Sequence, residues 1–182
     1  MTRLRKILLT ASAIFLAVLS FAVYRQFFAT VRTAPEDAER IKAFKPLSDV
    51  RLSEDPPARL FPVFRVVSAE SGRNLTFLFK NNTKDHLYYG RDNTFEIELD
   101  GEWYYMGSTG HNDIMFELPP KEIRTVQHWV PGDIGWVPRG AEPSGVDWVP
   151  GHYRIVKEIF RNSEYGRYGR IIWVVAAEFY ME

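Results

Sequence analysis

The sequence predicts an all-β domain, an antiparallel β-sandwich, preceded by one N-terminal transmembrane helix. Three observations carry this. About 120 residues from Leu60 onward read as eight or nine short strands separated by turn residues, with no amphipathic helix among them. Residues 7–24 form an uncharged run of 18 residues directly after a basic start. The 182-residue chain has no cysteine, so disulfides, thiolate metal sites, a cysteine nucleophile and a lipidated cysteine are all excluded.

The N-terminal run, ILLTASAIFLAVLSFAVY from Ile7 to Tyr24, follows Arg3, Arg5 and Lys6. Such a helix extends roughly 27 Å, close to the hydrocarbon thickness of a bilayer. A cleaved signal peptide is the alternative, but its apolar stretch is shorter, about 7–15 residues. The bulky exit Tyr24-Arg25-Gln26-Phe27-Phe28 also favours an uncleaved anchor over a cleavage site. Basic residues concentrate before the helix, so residues 1–6 are expected in the cytoplasm and the rest outside, extracellular or periplasmic. The formal charge of zero thus averages two unlike parts. Setting aside Arg3, Arg5, Lys6 and Arg25 leaves 19 of 23 basic residues against 23 acidic ones, a net −4. That balance argues against nucleic acid as a partner, because phosphate binding needs a concentrated basic face.

Residues 25–59 read as a stalk. Pro35-Glu36-Asp37 and the following Ala38 to Phe44 predict a short helix, with proline in its first turn and early acids complementing the dipole. Pro46 stops it, and Ser53-Glu54-Asp55-Pro56-Pro57 reads as an extended spacer. A solvated stalk and a partner-binding helix are the two readings of this segment.

Within residues 60–182, strands are expected at Phe61–Ser68, Asn74–Lys80, Leu87–Gly90, Thr94–Asp100 and Glu102–Met106. Further strands are expected at Ile114–Leu118, Ile123–Val130, Tyr153–Phe160 and Ile171–Tyr180. Thr94–Asp100 alternates cleanly, which puts Phe95, Ile97 and Leu99 in the core and Glu96, Glu98 and Asp100 in water. Asp100-Gly101 is a hairpin turn signal. Gly151-His152-Tyr153 at the start of a late strand predicts a tyrosine corner, in which the Tyr153 hydroxyl bonds back to the preceding turn of a Greek-key sandwich.

Asn81-Asn82-Thr83, Tyr89-Gly90, Phe95-Glu96-Ile97, Asp100-Gly101-Glu102-Trp103-Tyr104, Pro150 to Glu158 and Ala177-Glu178-Phe179 occur in order. The region from about Phe64 to Tyr180 resembles the bacterial immunoglobulin-like domains of small membrane-anchored proteins and lipoproteins, mainly of Gram-positive bacteria. The resemblance implies an immunoglobulin-like Greek-key sandwich in an extracytoplasmic setting, and it supplies no catalytic residues. The chain departs from that pattern in its plain anchor and in a long segment before Pro150.

That segment, Pro131 to Pro150, holds four prolines, four glycines and two copies of Trp-Val-Pro. Trp136 and Trp148 are candidate partner-binding residues, as an aromatic platform for a protein or an envelope polysaccharide. Alternatively both fold back and close the end of the sandwich. His86, His111, His128 and His152 lack ligand spacing, and no nucleophile elbow or phosphate-cradling loop occurs, so no metal, cofactor or catalytic residue is assigned. The Asn-x-Thr sequons at Asn74 and Asn81 would matter only in a glycosylating pathway. The expected function is a non-enzymatic, membrane-tethered module held to the lipid bilayer by residues 7–24, binding a protein or a cell-envelope component. A protease-inhibitor-like loop domain, or a hydrolase with its site around residues 107–150, are the alternatives.

Overall fold

A computed structural model describes residues 17, 19–21, 23, 24, 31–63, 66–67, 74–108, 114–129, 148–161 and 171–182. The chain divides into two units, Met1–Thr30 and Val31–Glu182. Most of the expected anchor 7–24 lies outside the described residues. Its described positions are helical, with Leu19, Phe21, Val23 and Tyr24 exposed. Among the described residues no helix is long and apolar enough to cross a membrane.

Among its described residues the second unit is mostly antiparallel sheet with one helix, α1, Pro35–Phe44. Proline at its start fixes φ without costing a hydrogen bond, and Glu36 and Asp37 lie in the first turn. The strands are β1 (Ala58–Pro62), β2 (Val66–Val67), β3 (Asn74–Asn81), β4 (Leu87–Gly90) and β5 (Thr94–Leu99). They continue with β6 (Glu102–Ser108), β7 (Met115–Leu118), β8 (Ile123–Trp129), β9 (Gly151–Phe160) and β10 (Ile171–Met181).

One sheet has the order β1-β3-β8, and the other runs β2-β10-β9-β4-β7, with the β5–β6 hairpin joined to β9 through β5. β4 and β5 lie in succession along β9. Tyr89 pairs with Ile159 and Thr94 with Val156, so the four residues 90–93 that join β4 to β5 oppose two of β9, 157–158. This is a bulge that bends the sheet. The β5–β6 turn places Asp100 at φ 54° and Gly101 at φ 86°, left-handed positions that suit Asx and glycine.

The two sheets pack through aromatic side chains. Phe77 of β3 meets Phe179 of β10 edge to face at 6.1 Å, and Phe79 of β3 meets Tyr89 of β4 at 4.9 Å. Leu60, Leu75, Ile97, Ile155 and Leu118 fill the space around them. The turn after β3 is tied by Asn81, which is fully buried. Its amide donates to the Asp85, Leu118 and Pro119 carbonyls at 2.8–3.1 Å, and its Oδ1 accepts from Thr83. A glycan at that sequon is incompatible with this packing.

The structure differs from the sequence reading in three places. The expected strand Phe61–Ser68 is two strands. The first stays on β3 as far as Val63, whose N–H donates to Thr76 O at 2.8 Å, and the second pairs as β2, in parallel, with β10. Residues 25–59 were expected outside the folded domain, yet from Val31 on they belong to it. Ile41 of α1 is fully buried in the core with Ala38 packed beside it, and Ala58 is buried in β1. Beyond α1 the segment crosses from one free edge of the larger sheet to another. Ser48 N donates to Trp103 O at 2.8 Å and Tyr105 N to Pro46 O at 3.0 Å, while Ser53 N donates to Val174 O at 2.9 Å. Glu96, expected in water, is fully buried because this crossing segment covers it.

Candidate functional site

The corner entering β9 holds two of the three residues singled out in the sequence. Tyr153 is fully buried; its hydroxyl donates to Val149 O at 2.8 Å and accepts from Val149 N at 3.2 Å. Burial pushes the phenol well above its ordinary range. Trp148 packs against the core, edge-on to Phe95 at 5.3 Å and tilted over Tyr153 at 4.8 Å. Its Nε1 is buried with no hydrogen-bond partner among the described residues. Gly151 is required here by space, since a Cβ would lie 2.6 Å from Thr33 Oγ1 and 3.1 Å from Ile97 Cδ1. Trp148 is a wall of the core, and Trp136 lies outside the described residues.

On the outer face of the larger sheet, polar groups gather where β5, β9 and β10 run side by side. The Glu96 carboxylate accepts from Arg154 Nε, directly across the β5–β9 register, and from Ser48 Oγ. Arg154 lies over the Trp103 ring at 4.3 Å. Next along β9, His152 stacks on Tyr180 at 4.5 Å and meets Trp103 at 5.3 Å. Its Nδ1 is 3.4 Å from Glu98 and its Nε2 is 3.2 Å from Glu178. Glu98 and Glu178 thus flank the ring on either side. These groups link β5, β6, β9 and β10, with Ser48 of the crossing segment added on Glu96. Among the described residues no group of three or more His, Asp or Glu side chains is arranged to hold a metal ion.

A third polar site lies inside. Lys157 shares the inward parity of Tyr153, Ile155 and Ile159 and is 1% exposed. Its ammonium donates to three carbonyls of the bulge, Gly90 O at 2.7 Å, Asp92 O at 3.1 Å and Arg91 O at 3.4 Å, and sits 5.3 Å from the Tyr89 ring. Desolvation lowers its pKa to about 7, against the opposing pull of Asp92. Sequence reasoning passed over both this lysine and the Glu96–Arg154 pair. The signal for Lys157 was its place in the Tyr153-x-Ile155-x-Lys157-x-Ile159 alternation.

The outer face of the β1-β3-β8 sheet has a different character. Phe61 and Leu78 are cross-strand partners, both exposed, and Ile123 sits diagonally from Leu78 with 57% of its surface in water. Arg59 pairs directly with Lys80, two cations side by side, and Lys80 in turn opposes Ile123. Val63, Thr76 and Thr125 share this face, and none of the residues named on it is a carboxylate. Like charges directly opposite on a sheet are unfavourable, and exposed aliphatic and aromatic side chains gain nothing from water.

Comparison with known proteins adds little to this geometry. No family model matches the chain, and no curated protein matches it. A solved structure, the alkylpurine DNA glycosylase AlkC of Pseudomonas fluorescens bound to DNA containing an abasic site analogue, aligns with 70% of this chain at 15% identity and a TM-score of 0.30. The chain spans 31% of that protein's length. A likeness this slight carries no argument about fold or function.

Proposed function

We propose that the chain is a membrane-tethered, extracytoplasmic immunoglobulin-like domain that acts without catalysis, by binding a component of the cell envelope. The carrying observation is the exposed row Phe61, Leu78 and Ile123 beside Arg59 and Lys80 on the small sheet. Three ionic groups of the larger sheet have partners within the fold: Glu96 with Arg154, His152 between Glu98 and Glu178, and Lys157 in its carbonyl cradle. A surface whose exposed chemistry is apolar and cationic suits recognition better than bond-breaking.

The immunoglobulin-like reading is supported by the strand pairing. The chain's first strand pairs with β3 and then switches sheets to lie parallel to the last strand, while β3 pairs with β8 and β9 with both β4 and β10. The two bonds between Tyr153 and Val149 are read as a tyrosine corner at the head of β9. The exposed apolar side chains of the helical stretch, Leu19, Phe21 and Val23, support the tether. The test is the full chain in a bacterial envelope, washed at alkaline pH and then treated with protease from outside. Retention in the membrane with cleavage of the 31–182 unit is expected. Release by the wash, or protection from external protease, would overturn the tethered, outward-facing reading.

A further inference from the structure

We infer that the outer face of the β1-β3-β8 sheet docks on the anionic phospholipid surface of the bilayer that holds the anchor. The inference rests on the tethered reading and deepens it by naming the partner. Its chemistry is that of an interfacial surface: Phe61, Leu78, Ile123 and the adjoining Val63 are exposed and apolar, and Arg59 and Lys80 flank them. Apolar side chains enter the headgroup boundary, while cations meet anionic headgroups and their aliphatic stems cover apolar surface. The direct Arg59–Lys80 juxtaposition, unfavourable in the free domain, becomes favourable against a negative surface.

Charge also selects among occupants. The portion beyond the anchor carries a net −4, so an anionic surface repels the domain as a whole and attracts it at this face, which fixes an orientation. A second copy laid on the same face would bring these cations together with no carboxylate among the described outward positions to meet them. Chain length makes the bilayer available. The folded unit begins at Val31, seven residues after Tyr24, and seven residues reach about 25 Å at most. With residues 7–24 in the membrane, a connector of that length leaves the bilayer within the domain's reach.

The experiment uses the full chain in nanodiscs, with Leu78→Cys carrying an environment-sensitive fluorophore; the natural chain has no cysteine to interfere. Thr125→Cys on the same face is a second reporter should Leu78→Cys misfold, and Glu102→Cys on the other sheet is the control. In phosphatidylcholine discs doped with phosphatidylglycerol, the face reporters are expected to shift to the blue and be quenched by spin-labelled lipid. In pure phosphatidylcholine both signals fall. Arg59→Gln and Lys80→Gln each lower the docked-to-free ratio about five-fold, the worth of one cation at an anionic surface. Added salt acts in the same direction. Reporters that stay in water in both discs overturn the proposal. So does a shift that depends on protein copies per disc and not on phosphatidylglycerol, which would identify a second chain as the occupant. A chain that fails to remain in the disc refutes the tether instead, a different result from a retained chain whose reporter stays wet.

Discussion

Replacing Lys157 with Met tests whether a buried ammonium sets the pH dependence of this fold. In the folded domain desolvation lowers the lysine's pKa to about 7, whereas its ordinary value is 10.5. Between these values the unfolded chain holds a proton that the folded chain has released. The unfolded state then binds more protons, so stability rises with pH in this window, by up to about 1.4 kcal/mol per pH unit. Below about pH 7 both states are charged and the contribution is constant and at its least favourable. The full difference corresponds to roughly 5 kcal/mol, of which about 2 kcal/mol is recovered between pH 7 and about pH 9. Lys157→Met removes this titration. It also leaves the Gly90, Arg91 and Asp92 carbonyls without their donor, an offset that does not change with pH. Asp92 opposes the shift, and the neighbouring Glu158, itself raised by burial, titrates in wild type and variant alike. Urea unfolding of the full chain in detergent micelles, followed by tryptophan fluorescence from about pH 6 to about pH 9, measures the gap between the two proteins. Wild type is expected to gain on the variant by about 2 kcal/mol across the upper part of that range. Parallel curves would refute the reasoning and mean that the carbonyl cradle holds the proton throughout.

Glu96→Gln leaves Arg154 buried beside a weaker acceptor, and Arg154→Met leaves a buried carboxylate. Each is expected to cost about 3–5 kcal/mol in the same assay, and the double variant less than the sum. Tyr153→Phe removes both bonds to Val149 and is expected to lower stability by about 1–3 kcal/mol without abolishing folding, seen as a lower melting midpoint by circular dichroism. Gly151→Ala is expected to destabilise by about 1–3 kcal/mol, and adding Thr33→Ala to recover part of that loss. No recovery in the double variant would mean that Thr33 is not held against the corner.

The strands were legible because their side chains alternate and their turns carry recognisable residues. Thr94 to Leu99 puts Phe95 and Ile97 in the core, and Asp100-Gly101 turns the hairpin, as period-two patterning and left-handed turn chemistry require. What alternation cannot report is which polar residue on a given face will be covered. Glu96 and Glu98 share one face of one strand, yet Glu96 is fully buried and Glu98 is not. The difference comes from Ser48, nearly fifty positions earlier in the chain, and from Arg154 on the neighbouring strand. Lys157 was hidden differently. Its parity pointed inward, but a lysine is read as solvated unless carbonyls are there to receive it, and those of Gly90, Arg91 and Asp92 meet it where 90–93 bulges against 157–158.

The connector shows how little apolar signal suffices to change a domain boundary. PEDAERIKAF is polar enough to read as a solvated helix, and only Ala38 and Ile41 mark an inward side at i and i+3. Burying one isoleucine contributes about 1.5–3 kcal/mol, enough to hold a ten-residue helix whose ends are already fixed by Pro35 and Pro46. From Ile41 the chain returns to β1 over the outer face of the larger sheet. There it meets unpaired edge groups of β6 and β10 and a carboxylate at Glu96 that a serine hydroxyl can satisfy. The segment is therefore committed to the fold at both ends and in the middle. That commitment makes residues 31–59 part of the folded unit rather than a spacer beside it.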